Sequence, residues 1–130
     1  MCGIVGYVGD KESAPILVSG LRKLEYRGYD SAGVALNRGD SIEVVKTAGR
    51  IADLEELVSS SGDLTAVSGI GHTRWATHGA PNTVNAHPHA DQTGDVIVVH
   101  NGIVENWADL KQKLIDQGHE NRAPDFLALR

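Results

Sequence analysis

Residues 1–10 read MCGIVGYVGD, and this stretch sets the first constraint on the fold. From Cys2 to Val8 the residues are apolar or glycine at both alternating positions, which is typical of a strand that is covered on both faces. A strand of that kind needs one layer of structure above it and another below it, so the sequence predicts a layered fold. The same stretch holds the only cysteine of the chain, directly behind the initiator methionine.

The segments that follow predict helices placed to cover sheets. A helix begins near Ser13 and Pro15 and ends before Gly28. The stretches SAGVAL (31–36) and SIEVVK (41–46) are separated by turn residues and predict a hairpin. Further predicted elements are a short helix over 51–58, an apolar segment over 67–70, a buried strand over 96–100 and a helix over 104–114 closed by Gly118. This order favours an α+β layered sandwich over a doubly wound parallel sheet.

Charge and composition exclude several classes of function. The 130 residues carry a net charge of −5 and their 12 lysines and arginines are scattered, so the chain has no basic surface for a nucleic acid. The apolar run at the N-terminus ends at Asp10, too early for a signal peptide or a membrane span. One cysteine cannot form an internal disulfide, which fits a reducing compartment. We therefore expect a cytoplasmic protein without nucleic-acid or membrane partners.

The position of Cys2 points to chemistry. A free cysteine is most often a small buried hydrophobe, and that interpretation stays open here. If Met1 is removed, however, a thiol and a free α-amine belong to the same residue. An α-amine, whose usual pKa lies near about 8, is a plausible base for a neighbouring thiol. Cys2 would then be a nucleophile that needs no separate histidine and attacks an amide or ester carbonyl.

Two other groups could complete a site for acyl transfer. Asn101 and Gly102 form a pair typical of a turn, but a helical pattern follows it instead of a returning strand. The Asn101 amide and the Gly102 N–H could stabilise an oxyanion, a task in which one donor lowers the barrier by about 3 kcal/mol. Arg74, in GHTRWATHG (71–79), is either an ordinary surface cation or a bidentate ligand for a substrate carboxylate.

The histidines do not predict a metal site. Five of the six crowd one half of the chain, namely His72, His78, His87, His89 and His100. The spacings of zinc proteins, such as His-Glu-x-x-His and Cys-x-x-Cys, are missing from the sequence. We expect these histidines to hydrogen-bond loop backbone, and we expect no metal and no other cofactor.

Five motifs, taken in order, resemble one family. MCGIVGYVG, LRKLEYRGYDSAGVAL, GHTRWATHG, NAHPH and VVHNGIVENW closely resemble the glutaminase domain of the class II glutamine amidotransferases, in their aminosugar-forming branch. The resemblance runs from Met1 to about His119. It implies the fold of the N-terminal nucleophile hydrolases, a four-layer αββα sandwich, and it implies an enzyme whose substrate is L-glutamine.

The resemblance also implies a role for each matching residue. Cys2, exposed by loss of Met1, would be the nucleophile with its own α-amine as proton acceptor, and Asn101 and Gly102 would form the oxyanion hole. The residues implied for glutamine are Arg74, Thr77 and His78 at the α-carboxylate and the carbonyl of Trp75 at the scissile amide. Ammonia from a γ-glutamyl thioester would reach a separate sugar-phosphate domain and convert fructose 6-phosphate to glucosamine 6-phosphate. Full-length members of this branch are expected to be homodimers.

The end of the chain departs from the family pattern. After His119 the family continues with a stretch whose aspartate binds the α-amino group of glutamine, whereas residues 121–130 read NRAPDFLALR and Asp125 stands in unmatched surroundings. The sugar isomerase domains have no counterpart, so the expected organisation of residues 1–130 is an N-terminal portion of an amidotransferase domain, incomplete at its C-terminus. Two alternatives stay open: a stand-alone N-terminal nucleophile amidase, and an inactive regulatory or interaction remnant.

Overall fold

The computed structural model describes residues 2–28, 30–75, 80–102 and 104–119. The strands in these ranges are β1 (Gly3–Val8), β2 (Ser31–Asn37), β3 (Ile42–Ala48), β4 (Ser68–Arg74), β5 (His89–Ala90) and β6 (Ile97–Val98). The helices are α1 (Ser13–Leu24), α2 (Ile51–Ser60) and α3 (Trp107–Asp116), and a 3-10 turn over Glu25–Arg27 follows α1. Within the described ranges, no helix combines the length and the apolar character that crossing a membrane requires.

One antiparallel sheet organises the chain, with the strand order β1-β4-β2-β3. The expected hairpin forms β2 and β3, and the N–H of Arg38 closes its turn by donating to the Ser41 carbonyl at 2.9 Å. β4 runs between β1 and β2, so that His72 lies opposite Ile4 on one side and opposite Gly33 on the other. The second half of β4 is therefore brought into the centre of the sheet, beside the start of β1.

Helices α1 and α2 cover one face of this sheet and build the core with it. Strand alternation turns Val34 and Leu36 toward the helices, where they meet Leu17 and Leu21, and all four side chains are fully buried. Burial of such a side chain contributes about 1.5–3 kcal/mol. β4 presents glycine to α1, since a Cβ on Gly71 would lie 3.0 Å from the Leu21 side chain. The helix can therefore approach the sheet closely.

The opposite face of the sheet is covered over its centre but not over its edge strand β1. Over the centre, residues 80–90 pass so close over β2 that a Cβ on Gly33 would clash with the carbonyl oxygen of His87. On the edge strand β1, Ile4 is 45% exposed and Val8 is 85% exposed. The prediction that the first strand is covered on both faces is therefore wrong for the described structure. The physical reason is that β5 and β6 have only two residues each and are too short to cover the edge strand β1.

The predicted elements are largely present, with three differences. The helices over 13–24 and 51–60 and the hairpin are confirmed. The apolar segment over 67–70 continues as strand to Arg74, because its backbone pairs with β1 as far as Thr73 and with β2 as far as Arg74. The strand expected over 96–100 shrinks to Ile97–Val98, whose partner within the described ranges is the equally short β5. The last helix begins three residues late, at Trp107, and has no buried residue.

Candidate active site

Cys2 lies immediately before β1, beside the end of β4. Its Sγ is 3.3 Å from the backbone nitrogen of Trp75, which donates to the sulfur, and 3.8 Å from the Trp75 carbonyl oxygen, which can accept from the thiol. The cysteine is half-buried. Pairing of the first strand with β4 thus holds the thiol against the residue that follows Arg74.

Arg74 ends β4 and, by strand alternation, shares a face of the sheet with His72. The residue is only 2% exposed, so it is not an ordinary surface cation. Its Nη1 donates to the carbonyl of Ala80 at 3.3 Å, and its own carbonyl accepts from the N–H of Asp30 at 3.1 Å. A guanidinium anchored in this way has a restricted direction, which favours bidentate recognition of a carboxylate.

Asn101 follows β6, and its side chain reaches β4. Its Oδ1 is 2.6 Å from the Nε2 of the buried His72. A Cβ on the neighbouring Gly102 would lie 2.9 Å from the Nε2 of His100, so the ring of His100 occupies the space a side chain would need. The element after the Asn-Gly pair is α3 and not a returning strand, as the sequence predicts.

Three histidines pack together on this face of the sheet, and sequence reasoning missed the cluster. His72 stacks on His87 with ring centroids 4.3 Å apart, and His89 meets His87 edge-on at 4.5 Å. Burial is the main cause that lowers the pKa of His72 to about 4, that of His87 to about 2 and that of His89 to about 3. All three rings are therefore neutral near pH 7. One sequence signal could have indicated it: His72 and Arg74 continue the alternation of the apolar segment over 67–70, which places both side chains on one face of a strand.

Lys46 on β3 is a second residue that sequence reasoning missed. Its ammonium donates to the carbonyls of Ala86 at 2.8 Å, Pro88 at 3.2 Å and Val84 at 3.4 Å. Burial lowers its pKa below the usual range. The loop that carries His87 is thereby tied to the hairpin. A lone lysine at the end of the strand pattern SIEVVK was the only sequence signal.

The sequence of the chain is similar to the N-terminal part of known aminotransferases. No family model matches the chain. Glutamine–fructose-6-phosphate aminotransferase (isomerizing) from Thermococcus kodakarensis is 53% identical over 123 residues, 95% of this chain and 20% of that protein. The enzyme of the same name from Chlorobaculum tepidum is 54% identical over 121 residues, 92% of this chain and 20% of that protein. The chain thus spans about a fifth of the length of the curated relatives that it matches, at their N-terminal end.

Solved structures agree with the sequence relatives. Glutamine phosphoribosylpyrophosphate amidotransferase from B. subtilis, in complex with ADP and GMP, superimposes with a TM-score of 0.73 and 28% identity over 93% of this chain and 26% of that chain. A structure described as the allosteric regulatory enzyme of purine biosynthesis gives a TM-score of 0.77 and 29% identity, with the same coverage. The chain is thus similar, over nearly its whole length, to glutamine amidotransferases. The predicted α+β fold of the N-terminal nucleophile hydrolases is thereby confirmed.

The structure brings several of the predicted site residues together and leaves others outside the described ranges. Cys2 contacts the backbone of Trp75, and the preceding residue, Arg74, is buried. Asn101 contacts β4, the strand that Arg74 ends, through its hydrogen bond with His72. Thr77 and His78, expected at the glutamine carboxylate, lie outside the described residues, as does Asp125. Among the described residues there is no group of three histidine, cysteine, aspartate or glutamate side chains arranged to hold a metal ion.

Proposed function

We propose that this chain hydrolyses the side-chain amide of L-glutamine, with Cys2 as the nucleophile. The observation that carries the proposal is the contact between the Cys2 thiol and the backbone of Trp75, one residue after the buried Arg74. A nucleophile and a cation for a substrate carboxylate are thus supplied by adjacent parts of two paired strands. The similarity of the chain to glutamine amidotransferases supports the same reaction.

The reaction has two halves. After removal of Met1, the α-amine of Cys2 takes the thiol proton, and the sulfur attacks the amide carbon of glutamine. The tetrahedral intermediate collapses to a γ-glutamyl thioester when the C–N bond breaks, and the protonated amine returns its proton to the leaving ammonia. Water then attacks the thioester carbon, which releases glutamate and restores the thiol.

The other site residues bind the substrate and stabilise charge. We assign the α-carboxylate of glutamine to Arg74, with help from Thr77 and His78, because a buried planar guanidinium suits a carboxylate better than an ammonium does. The side-chain amide of Asn101 and the N–H of Gly102 would donate to the oxyanion, and the Trp75 carbonyl would accept from the amide of the substrate.

The wider setting follows the relatives of this chain. We infer that residues 1–130 form an N-terminal portion of the amidotransferase domain and act within a longer polypeptide in the cytoplasm. The ammonia would be used there to convert fructose 6-phosphate to glucosamine 6-phosphate, as the name of the matched aminotransferases suggests. The full-length protein would be a homodimer.

The decisive experiment compares two amides in the full gene product that carries these residues. Arg74→Lys should lower kcat/KM for glutamine by roughly 10- to 100-fold, since one bidentate charge-assisted contact is lost. It should barely change the slow hydrolysis of 4-aminobutanamide, which is glutamine without its α-carboxylate. Arg38→Lys is the matched control, because Arg38 lies on the surface and pairs only loosely with Asp63 at 3.7 Å.

Any of three outcomes would remove the proposal. Undiminished release of glutamate by a Cys2→Ala variant would exclude Cys2 as the nucleophile. Equal activity of the unmodified protein on glutamine and 4-aminobutanamide would favour the stand-alone amidase instead. Complete absence of turnover with both amides would favour the regulatory remnant.

A further inference from the structure

His72 is a buried residue of the site that the proposed reaction does not use. It lies in the middle of the sheet, with Ile4 opposite on β1 and Gly33 opposite on β2, and it is fully buried. Its Nε2 makes a 2.6 Å hydrogen bond with Oδ1 of Asn101. The histidine therefore contacts the residue whose amide is assigned to the oxyanion hole.

The chemistry of the two groups fixes the direction of this hydrogen bond. An amide oxygen only accepts, so Nε2 of His72 carries the proton and donates it. Nδ1 is then the unprotonated nitrogen, and it has no hydrogen-bond partner among the described residues. Because Oδ1 of Asn101 is committed to His72, the amide N–H groups on the other branch of the side chain stay available as donors.

The His72 ring is itself held in place. It stacks on His87 with 28° between the ring planes, and the backbone on both sides of His87 accepts from the ammonium of Lys46. The charged and titratable groups that interact electrostatically with it are Arg74, Asp30 and His100. A ring packed in this way cannot rotate without moving the loop that covers it.

We propose that His72 is a positioning residue, which donates from Nε2 to Oδ1 of Asn101 and thereby turns the Asn101 amide N–H toward the oxyanion formed at Cys2. The inference rests on the proposed function, since it assumes that Asn101 stabilises that oxyanion. His72 neither touches the substrate nor moves a proton. Its contribution is to prevent the amide from flipping, which would present an oxygen to the developing negative charge.

A double-mutant cycle in the full gene product tests this coupling. Asn101→Ala should lower kcat for glutamine hydrolysis by about 10²–10³-fold, and His72→Leu by roughly 10- to 100-fold. The KM for glutamine should change by less than about twofold in each, because carboxylate binding is a separate contact. The double variant should be no slower than Asn101→Ala alone, since His72 acts through Asn101. Multiplicative losses in the double variant would overturn the proposal.

Two further variants separate positioning from stability. His72→Gln keeps an N–H donor and should recover most of the kcat lost in His72→Leu. Val34→Ala removes packing from the helix-covered face of the sheet, opposite the face that carries His72, and should leave kcat within about twofold while lowering thermal stability. If Val34→Ala lowers kcat as much as His72→Leu does, the effect of His72 is structural only and the proposal fails.

A measurement on the unmodified protein needs no variant. The ¹⁵N chemical shifts of the imidazole should identify His72 as the neutral tautomer protonated at Nε2, and protonation at Nδ1 would overturn the proposal. The proposed function fails independently, through retained hydrolysis in Cys2→Ala. With Cys2 essential and Asn101 and His72 uncoupled, glutamine hydrolysis would stand and only the role of His72 would fall.

Discussion

At the scale of single residues, the site depends on what lies on each side of Cys2. On one side its thiol is held by the backbone of Trp75. On the other side the proposed base is its own α-amine, which exists only after Met1 is removed. No neighbouring side chain is then required to activate the thiol, and the strand that begins at Gly3 fixes both groups at once.

The N-terminus therefore allows a sharp prediction. A version of the protein with a non-removable residue ahead of Cys2 should lose glutamine hydrolysis by more than about 100-fold, because an amide nitrogen cannot accept the thiol proton. Glutamate release, together with the intact mass of each sample, measures this. The same extension placed at the C-terminus is the control. Full activity in the N-terminally extended protein would contradict the self-base mechanism.

At the scale of elements, the position of the site residues depends on the hydrogen bonds that hold the loop over residues 80–90 against the sheet. Arg74 and Asn85 both donate to the carbonyl of Ala80, and Lys46 holds the other end of the loop. The sheet accepts this loop because Gly33 leaves room for its backbone. The loop then buries the histidine cluster against β4.

Lys46→Met should release this loop. Loss of the ammonium leaves three carbonyls without their donor, and we expect the free energy of unfolding to fall by about 1–3 kcal/mol. Amide hydrogen exchange of residues 84–90 should speed up as well. Lys11→Met on the exposed surface is the control and should change stability by less than about 0.5 kcal/mol. Unchanged exchange in the loop would show that Lys46 does not anchor it.

At the scale of the whole molecule, the two faces of the sheet have different functions. One face carries the apolar core beneath α1 and α2, and the other carries the buried polar groups of the site. The buried histidines of the site make the stability of the fold depend on pH. Burial disfavours their protonated form in the folded state, whereas the unfolded chain binds protons freely.

Stability should therefore fall in mild acid. The folded pKa values of about 4, 2 and 3 for His72, His87 and His89 lie below the usual 6.5, so the unfolded chain binds protons first as the pH falls. The free energy of unfolding is therefore unaffected by these histidines above about pH 6.5. It falls as the pH drops from there toward the folded-state pKa values, by up to about 1.4 kcal/mol per pH unit for each histidine. Urea midpoints at pH 7.5 and 5.0 measure the loss. His87→Gln should reduce this pH dependence, and an unchanged dependence in that variant would contradict the assignment.

The amino-acid sequence by itself determined the local structure and the reactive residue. The helices over 13–24 and 51–60, the hairpin of β2 and β3, and the α+β class follow from apolar periodicity and turn residues, which act over a few positions. The position of the one cysteine directly after Met1 likewise indicates a nucleophile from the sequence alone.

Only the tertiary structure decided how the site is supported. Lys46 and Ala86 are hydrogen-bonded although they are 40 positions apart in the sequence, and His72 and Asn101 although they are 29 apart. No local sequence pattern predicts such pairs. The burial of Arg74 and the exposure of Val8 were also decided there, because both depend on which distant segment passes over that part of the sheet. Short-range preferences specify strands and helices, whereas the position of a loop over a sheet is a property of the assembled fold.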